Sequence, residues 1–93
     1  MQSATDLVFR ALADPTRRAL FERLAREGER SVHSLTDHAG VSQPMVSKHL
    51  ALLKAAGLVR DRREGRETYY STRPPSLGPM IDWLAHFGGP SPT

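Results

Sequence analysis

The stretch VSQPMVSKHL at residues 41–50 crowds two serines, a glutamine, a lysine and a histidine around a few apolar anchors, with a proline near its start. On a helix, Val46, Leu50 and Leu53 fall at i, i+4 and i+7 and make one apolar stripe. Pro44, Ser47, Lys48 and Ala51 fall on a different face, and Gln43 leads it from the N-terminal end. Ser42 is placed to cap a helix over 43–56. Pro44 then lies in the first turn, where its missing N–H has no intrahelical partner to lose. Gly57 closes the helix in the left-handed conformation that favours glycine. A helix that only had to pack would not need the second, polar face.

The neighbouring residues say what that face meets. Upstream, Ser31 and Val32 read as a short extended piece, and Leu35 and Ala39 mark a brief helix stopped by Gly40. A short helix, a tight connection and a second helix make a helix-turn-helix. Downstream, LVRDRR and ETYYST flank EGR, two β-forming segments around a glycine turn, so a β-hairpin over 58–71 follows as a wing. Tyr69 and Tyr70 alternate faces on that strand, one for the core and one for the wing surface. Arg62, Arg63 and Arg66 cluster at the wing tip, a grouping that folding does not require. Short side chains along 43–51 permit close approach to a major groove. Gln and Ser can address base edges there, and Lys the phosphates.

The ends complete an α-α-α-α-β-β-α order. Leu7, Val8, Ala11 and Leu12 mark an amphipathic helix over 5–13. Asp14 and Pro15 then cap and start a second, which Gly28 ends. Its Arg17 and Arg18 read either as solvent-facing residues or as phosphate contacts. Arg73-Pro74-Pro75 breaks the chain before a last amphipathic helix over 77–87 that carries Met80, Ile81, Trp83, Leu84 and Phe87. The expected class is therefore mainly α with a β-hairpin wing: one winged helix-turn-helix domain over 1–87 and a disordered tail over 88–93.

Composition supports a polyanionic partner. Residues 41–73 hold seven Lys/Arg against Asp61, Glu64 and Glu67, a surplus of four, while the remainder holds six Lys/Arg against seven acidic residues. Positive charge gathered beside the polar helix suits double-stranded DNA. With 93 residues, the chain has room for one small core, and dimerisation is expected to supplement it. There are no cysteines, so disulfides and thiolate metal sites are excluded. No apolar run approaches the roughly 20 residues of a membrane span, and the start lacks a secretory signal, so a cytoplasmic location is expected.

FRALADPTRR at 9–18, SVHSLTDHAGVSQPMVSKHL at 31–50 and LKAAGLVRDRREGRETYY at 53–70 together resemble the ArsR-type (ArsR/SmtB) winged-helix repressors. The resemblance runs from about Asp6 to Ser71 and continues loosely to Phe87. It implies a homodimeric bacterial transcription regulator that pairs through its first and last helices and binds a roughly palindromic operator, often upstream of its own gene. Carried over by position, Ser42, Gln43, Pro44, Ser47, Lys48 and His49 are the expected DNA contacts of the recognition helix, with Arg62, Arg63 and Arg66 from the wing. Leu7, Val8, Ala11, Met80, Ile81, Trp83, Leu84 and Phe87 are the expected dimerisation residues.

Other readings compete with this one. His49 lies between the polar face and the apolar stripe, so it is either a DNA contact or a partly buried anchor. Members of the family that sense metals place cysteines on the third helix, where this chain has His33, Asp37 and His38. His33 with Asp37, and Asp82 with His86, are spaced i, i+4, yet two ligands make a poor zinc site. No metal and no cofactor is therefore expected; metal-dependent release from DNA would mark a sensor instead. A winged-helix module that binds protein would show affinity insensitive to salt. No nucleophile–base constellation or Gly-rich phosphate loop is present, so no enzyme is expected.

Overall fold

The computed structural model describes residues 3–88. The tail expected to be disordered lies, beyond Gly88, outside the described residues. The elements follow the order α1 (Ala4–Ala13), α2 (Pro15–Glu27), β1 (Arg30–Ser31), α3 (Val32–Thr36), α4 (Gln43–Ala55), β2 (Val59–Glu64), β3 (Glu67–Thr72) and α5 (Gly78–Phe87).

Helix α1 starts one residue earlier than its apolar periodicity suggests, because Ser3 and Asp6 form a capping box. Ser3 Oγ accepts from the Asp6 N–H at 3.1 Å, and Asp6 Oδ2 accepts from the Ser3 N–H at 3.3 Å. The α1–α2 corner is built from the next helix. Asp14 Oδ2 accepts from the Arg17 N–H at 2.9 Å and caps α2. Arg17 Nε and Arg18 Nη1 reach back to the carbonyls of Ala11 and Leu12, each at 2.9 Å. Those carbonyls sit at the end of α1, where a helix leaves acceptors without partners. Arg17 and Arg18 thus bind their own chain's backbone.

The cap has a pH signature. The Arg17 backbone N–H donating to Asp14 holds its carboxyl below the ordinary value of 3.8. A carboxyl depressed in the folded state stabilises the fold above its unfolded pKa, and that contribution disappears as pH falls through the folded one. Thermal melts below about pH 4 are therefore expected to lose stability more steeply in the wild type than in Asp14→Asn, which keeps a capping oxygen without the charge. Parallel acid limbs in the two proteins would remove Asp14 from the explanation.

Ser31 ends β1 and caps α3, its Oγ accepting from the Ser34 N–H at 3.0 Å. The extended piece therefore lies at Arg30–Ser31, one residue before its expected place. Helix α3 stops at Thr36, whose hydroxyl donates back to the Val32 carbonyl at 2.8 Å. Ala39, expected on this helix, lies beyond its end. Strand β1 pairs with β3 through Arg30↔Tyr70 and Ser31↔Tyr69, so the hairpin becomes a three-stranded sheet in the order β1-β3-β2.

Helix α4 matches its sequence reading closely. Ser42 caps it, accepting from the Met45 N–H at 3.4 Å, and Pro44 lies in the first turn. At its end Gly57 takes φ 77°, the Gly57 N–H donates to Lys54 at 2.9 Å and the Leu58 N–H to Leu53 at 3.0 Å. This is a Schellman motif, closed by burial of Leu58 against the end of the helix. The hairpin closes through a two-residue loop, Gly65 and Arg66, between the paired Glu64 and Glu67. Gly65 has φ 60°, at the position where a II′ turn requires it.

Val8, Ala11, Leu20, Phe21, Leu24, Leu35, Val46, Leu50, Leu53, Leu58 and Val59 form the core, with Tyr70 joining it from the wing. Two residues expected at a dimer contact, Val8 and Ala11, are instead buried within their own chain. Helix α5 buries none of its residues. It rests on α1 through Trp83, whose ring meets Phe9 edge-on at 5.4 Å and Phe87 at 5.1 Å.

Candidate nucleic-acid interface

Helix α4 divides cleanly into two sides. Val46, Leu50 and Leu53 are fully buried, whereas Ser42, Gln43, Pro44, Ser47, Lys48 and Ala51 are all exposed. Lys48 has no ion pair among the described residues. No described residue covers this polar face, and the start of the helix adds a field that favours phosphate.

His49 belongs to the other side, and its expected DNA contact is corrected. It is 8% exposed, three residues past Val46 and next to Leu50, within the buried arc of the helix. It lies close enough to Asp14 to act on its carboxyl, and its Nδ1 is buried with no hydrogen-bond partner among the described residues. His49 holds α4 against the α1–α2 corner rather than facing outward.

The three wing arginines are not equivalent. Arg62 grips Glu29 with two bonds, Nη2 to Oε1 at 2.8 Å and Nε to Oε2 at 2.9 Å. It donates to Glu64 at 2.8 Å through Nη1, and its guanidinium lies 4.7 Å from the Tyr69 ring centre. These partners push the Arg62 pKa up and the Glu29 pKa down. Its charge is compensated within the chain, so Arg62 ties the wing to the segment before β1. Lys54 is held likewise by Asp61 at 2.8 Å. Arg63 makes only a 3.5 Å contact from Nε to the Gly65 carbonyl, and Arg66 has no partner among the described residues. These two guanidiniums remain available to a ligand.

Wing and helix meet in a small polar cleft of about 210 Å³ lined by Val32, His33, Gln43, Ser47, Arg66, Glu67 and Thr68. It brings three expected contacts, Gln43, Ser47 and Arg66, to one place, the first two from α4 and the third from the wing turn. His33 joins them from α3, a residue not among the DNA contacts expected from the sequence. Helices α1 and α5 carry a separate apolar surface: Phe9, Ile81, Trp83, Leu84 and Phe87 are exposed there, Phe87 at 67%. Met80 and Leu7 are only partly covered. Among the described residues no three His, Asp or Glu side chains converge as a metal site would require. No helix there is long and apolar enough to cross a membrane.

A short helix, a polar outward-facing helix and a β-hairpin wing that reaches toward its start define a winged helix-turn-helix DNA-binding protein. A helix-turn-helix domain family matches residues 12–62, from the end of α1 into the wing. The transcriptional repressor SdpR of Bacillus subtilis is 36% identical over 80 residues, covering 86% of this chain and 88% of that one. The HTH-type transcriptional repressor SmtB of Mycobacterium tuberculosis is 46% identical over 82 residues, 87% of this chain but 60% of its own length. The ArsR-like transcriptional regulator from Rhodococcus sp. RHA1 superposes with a TM-score of 0.79 at 34% identity, covering 91% of this chain and 79% of that structure. The chain belongs to the ArsR-type helix-turn-helix transcriptional regulators.

Proposed function

We propose that this chain is a cytoplasmic, homodimeric repressor that binds a two-fold symmetric operator, including one at its own gene, without a metal or other cofactor. Two copies join through the apolar face of α1 and α5. Each places α4 in a major groove, with Gln43 and Ser47 at base edges and Lys48, Arg63 and Arg66 at the backbone. Ser42 and Pro44 bring the start of the helix close to the duplex. Two-fold symmetry sets the half-sites about 10 bp, or a multiple of it, apart. The observation that carries this reading is the division of α4, whose inner stripe is fully buried while every residue of its polar face stays exposed. The names of the relatives, repressors among them, point the same way.

Base and backbone roles separate by experiment. Gln43→Ala is expected to relax preference at one base position by about 1–3 kcal/mol and to leave random DNA unaffected. Arg63→Ala is expected to weaken every sequence similarly and to lower the slope of log K against log salt by about one per subunit. Arg62→Ala, whose charge is already compensated, is expected to leave that slope near the wild-type value. Titrations of each variant onto selected and scrambled duplexes across salt check this; equal losses on both duplexes for all three would contradict the assignment.

A further inference from the structure

His33 stands on the first turn of α3 with its side chain exposed, at the mouth of the cleft that also holds Gln43, Ser47, Arg66 and Thr68. Its imidazole makes no hydrogen bond or ion pair among the described residues. We propose that His33 is a DNA-contacting residue: the cleft receives one backbone phosphate per subunit, and protonation of His33 strengthens that contact. This rests on the DNA-binding reading above and adds to it a residue and a proton.

The chemistry of the lining is selective. Arg66, Gln43, Ser47 and Thr68 offer N–H and O–H donors, and a phosphodiester offers only acceptors. The charged groups facing the cleft are Arg66 and Glu67, both from the wing, while α4 contributes the uncharged Gln43 and Ser47. Arg30 of β1 is turned away, onto the Glu29 carbonyl at 2.8 Å and the Glu27 carboxylate at 3.5 Å. On α3 itself, Asp37 follows one turn later, at the C-terminal cap. Arg66 and Glu67 cancel, so a neutral His33 leaves the cleft without net charge and a protonated one leaves it with a single positive charge. Imidazole also gains a second N–H donor on protonation. A histidine side chain ordinarily changes charge between about pH 5 and 8, and in its protonated form it makes the cleft attract phosphate.

The test uses the full chain, with the best-binding duplex recovered from a randomised pool and a scrambled duplex of equal composition. Affinity is measured by fluorescence anisotropy across salt at about pH 6 and about pH 8. Wild-type binding is expected to tighten up to about fivefold per subunit at the lower pH, the upper range for an exposed ion pair. The slope of log K against log salt is expected to steepen by up to about 0.9 per subunit, the signature of one more neutralised phosphate. His33→Gln is expected to lose both changes, and His33→Arg to bind tightly at both pH values. His38→Gln, whose imidazole lines a different recess between α2 and α3, is expected to keep the wild-type response. Selective binding that responds to pH equally in wild type and His33→Gln, or in neither, overturns the role of His33 and leaves operator recognition standing. Loss of any preference over the scrambled duplex, at both pH values, overturns both.

Discussion

Ser47→Glu is expected to lower operator affinity on the order of a hundredfold or more while leaving the fold intact. Ser47 lies on the outer face of α4, one turn after Gln43, and lines the cleft beneath the wing. A longer side chain there holds the helix out of the groove. Its charge also faces phosphates, and like-charge juxtaposition across an interface costs several kcal/mol. At 1.4 kcal/mol per factor of ten, two or more decades follow. Folding has no reason to suffer, because the position is exposed and Glu is a good helix former. Anisotropy titration beside a thermal melt checks both halves. Undiminished operator affinity would mean that another surface faces the DNA.

Trp83→Glu is expected to convert the protein to a monomer at micromolar concentration and to weaken operator binding with it. None of the ten residues of α5 is buried, and Ile81, Trp83, Leu84 and Phe87 are exposed together beside Phe9. Covering one large apolar side chain contributes about 1.5–3 kcal/mol, and among the described residues α1 and α5 leave five such side chains exposed. A second copy of the same surface satisfies all of them at once, as an isologous contact does. Truncating a central aromatic anchor costs about 2 kcal/mol or more, and an unpaired buried carboxylate adds to that. A loss of about a thousandfold in dimer affinity follows at 1.4 kcal/mol per decade. With the two recognition helices unlinked, the gain from binding two half-sites together disappears. The core excludes Trp83, so the monomer should stay folded. Sedimentation of the two proteins decides the matter: a wild-type monomer, or an unchanged dimer in the variant, would contradict the interface.

The sequence was most legible where signals are local. Ser42, Pro44, Gly57 and the 46-50-53 stripe set the bounds and inner face of α4 without help from the rest of the chain, and Gly65 set the wing turn. The alternation of Tyr69 and Tyr70 correctly put one ring in the core and the other on the wing. What stayed hidden was tertiary. Strand β1 has two residues and no periodicity of its own, and it exists because β3 offers an edge. Glu29 lies 33 residues from Arg62, so nothing near the wing announced that one of its arginines was already paired. His49 falls at the border of the polar and apolar arcs, and the packing of α4 beside Asp14 decided its side.

Helix α1 shows the same limit. Apolar residues on both of its sides identify an amphipathic helix, but not which residues face the chain's own core. Val8 and Ala11 went inward and Phe9 outward, so the surface left for a partner is carried by Phe9 and α5. His33 gained its place only when the wing folded over the start of α4. No pattern within 31–38 distinguishes it from His38.

The most direct measurement is a titration of the purified chain onto the selected duplex and its scrambled counterpart across salt. The expected result is preference for the selected duplex by at least about a thousandfold, with log K falling steeply as salt rises on both, since phosphate contacts must release counterions. Equal affinity for the two duplexes, or affinity indifferent to salt, would contradict the winged helix as a reader of DNA sequence and make its polar face a surface for another kind of partner.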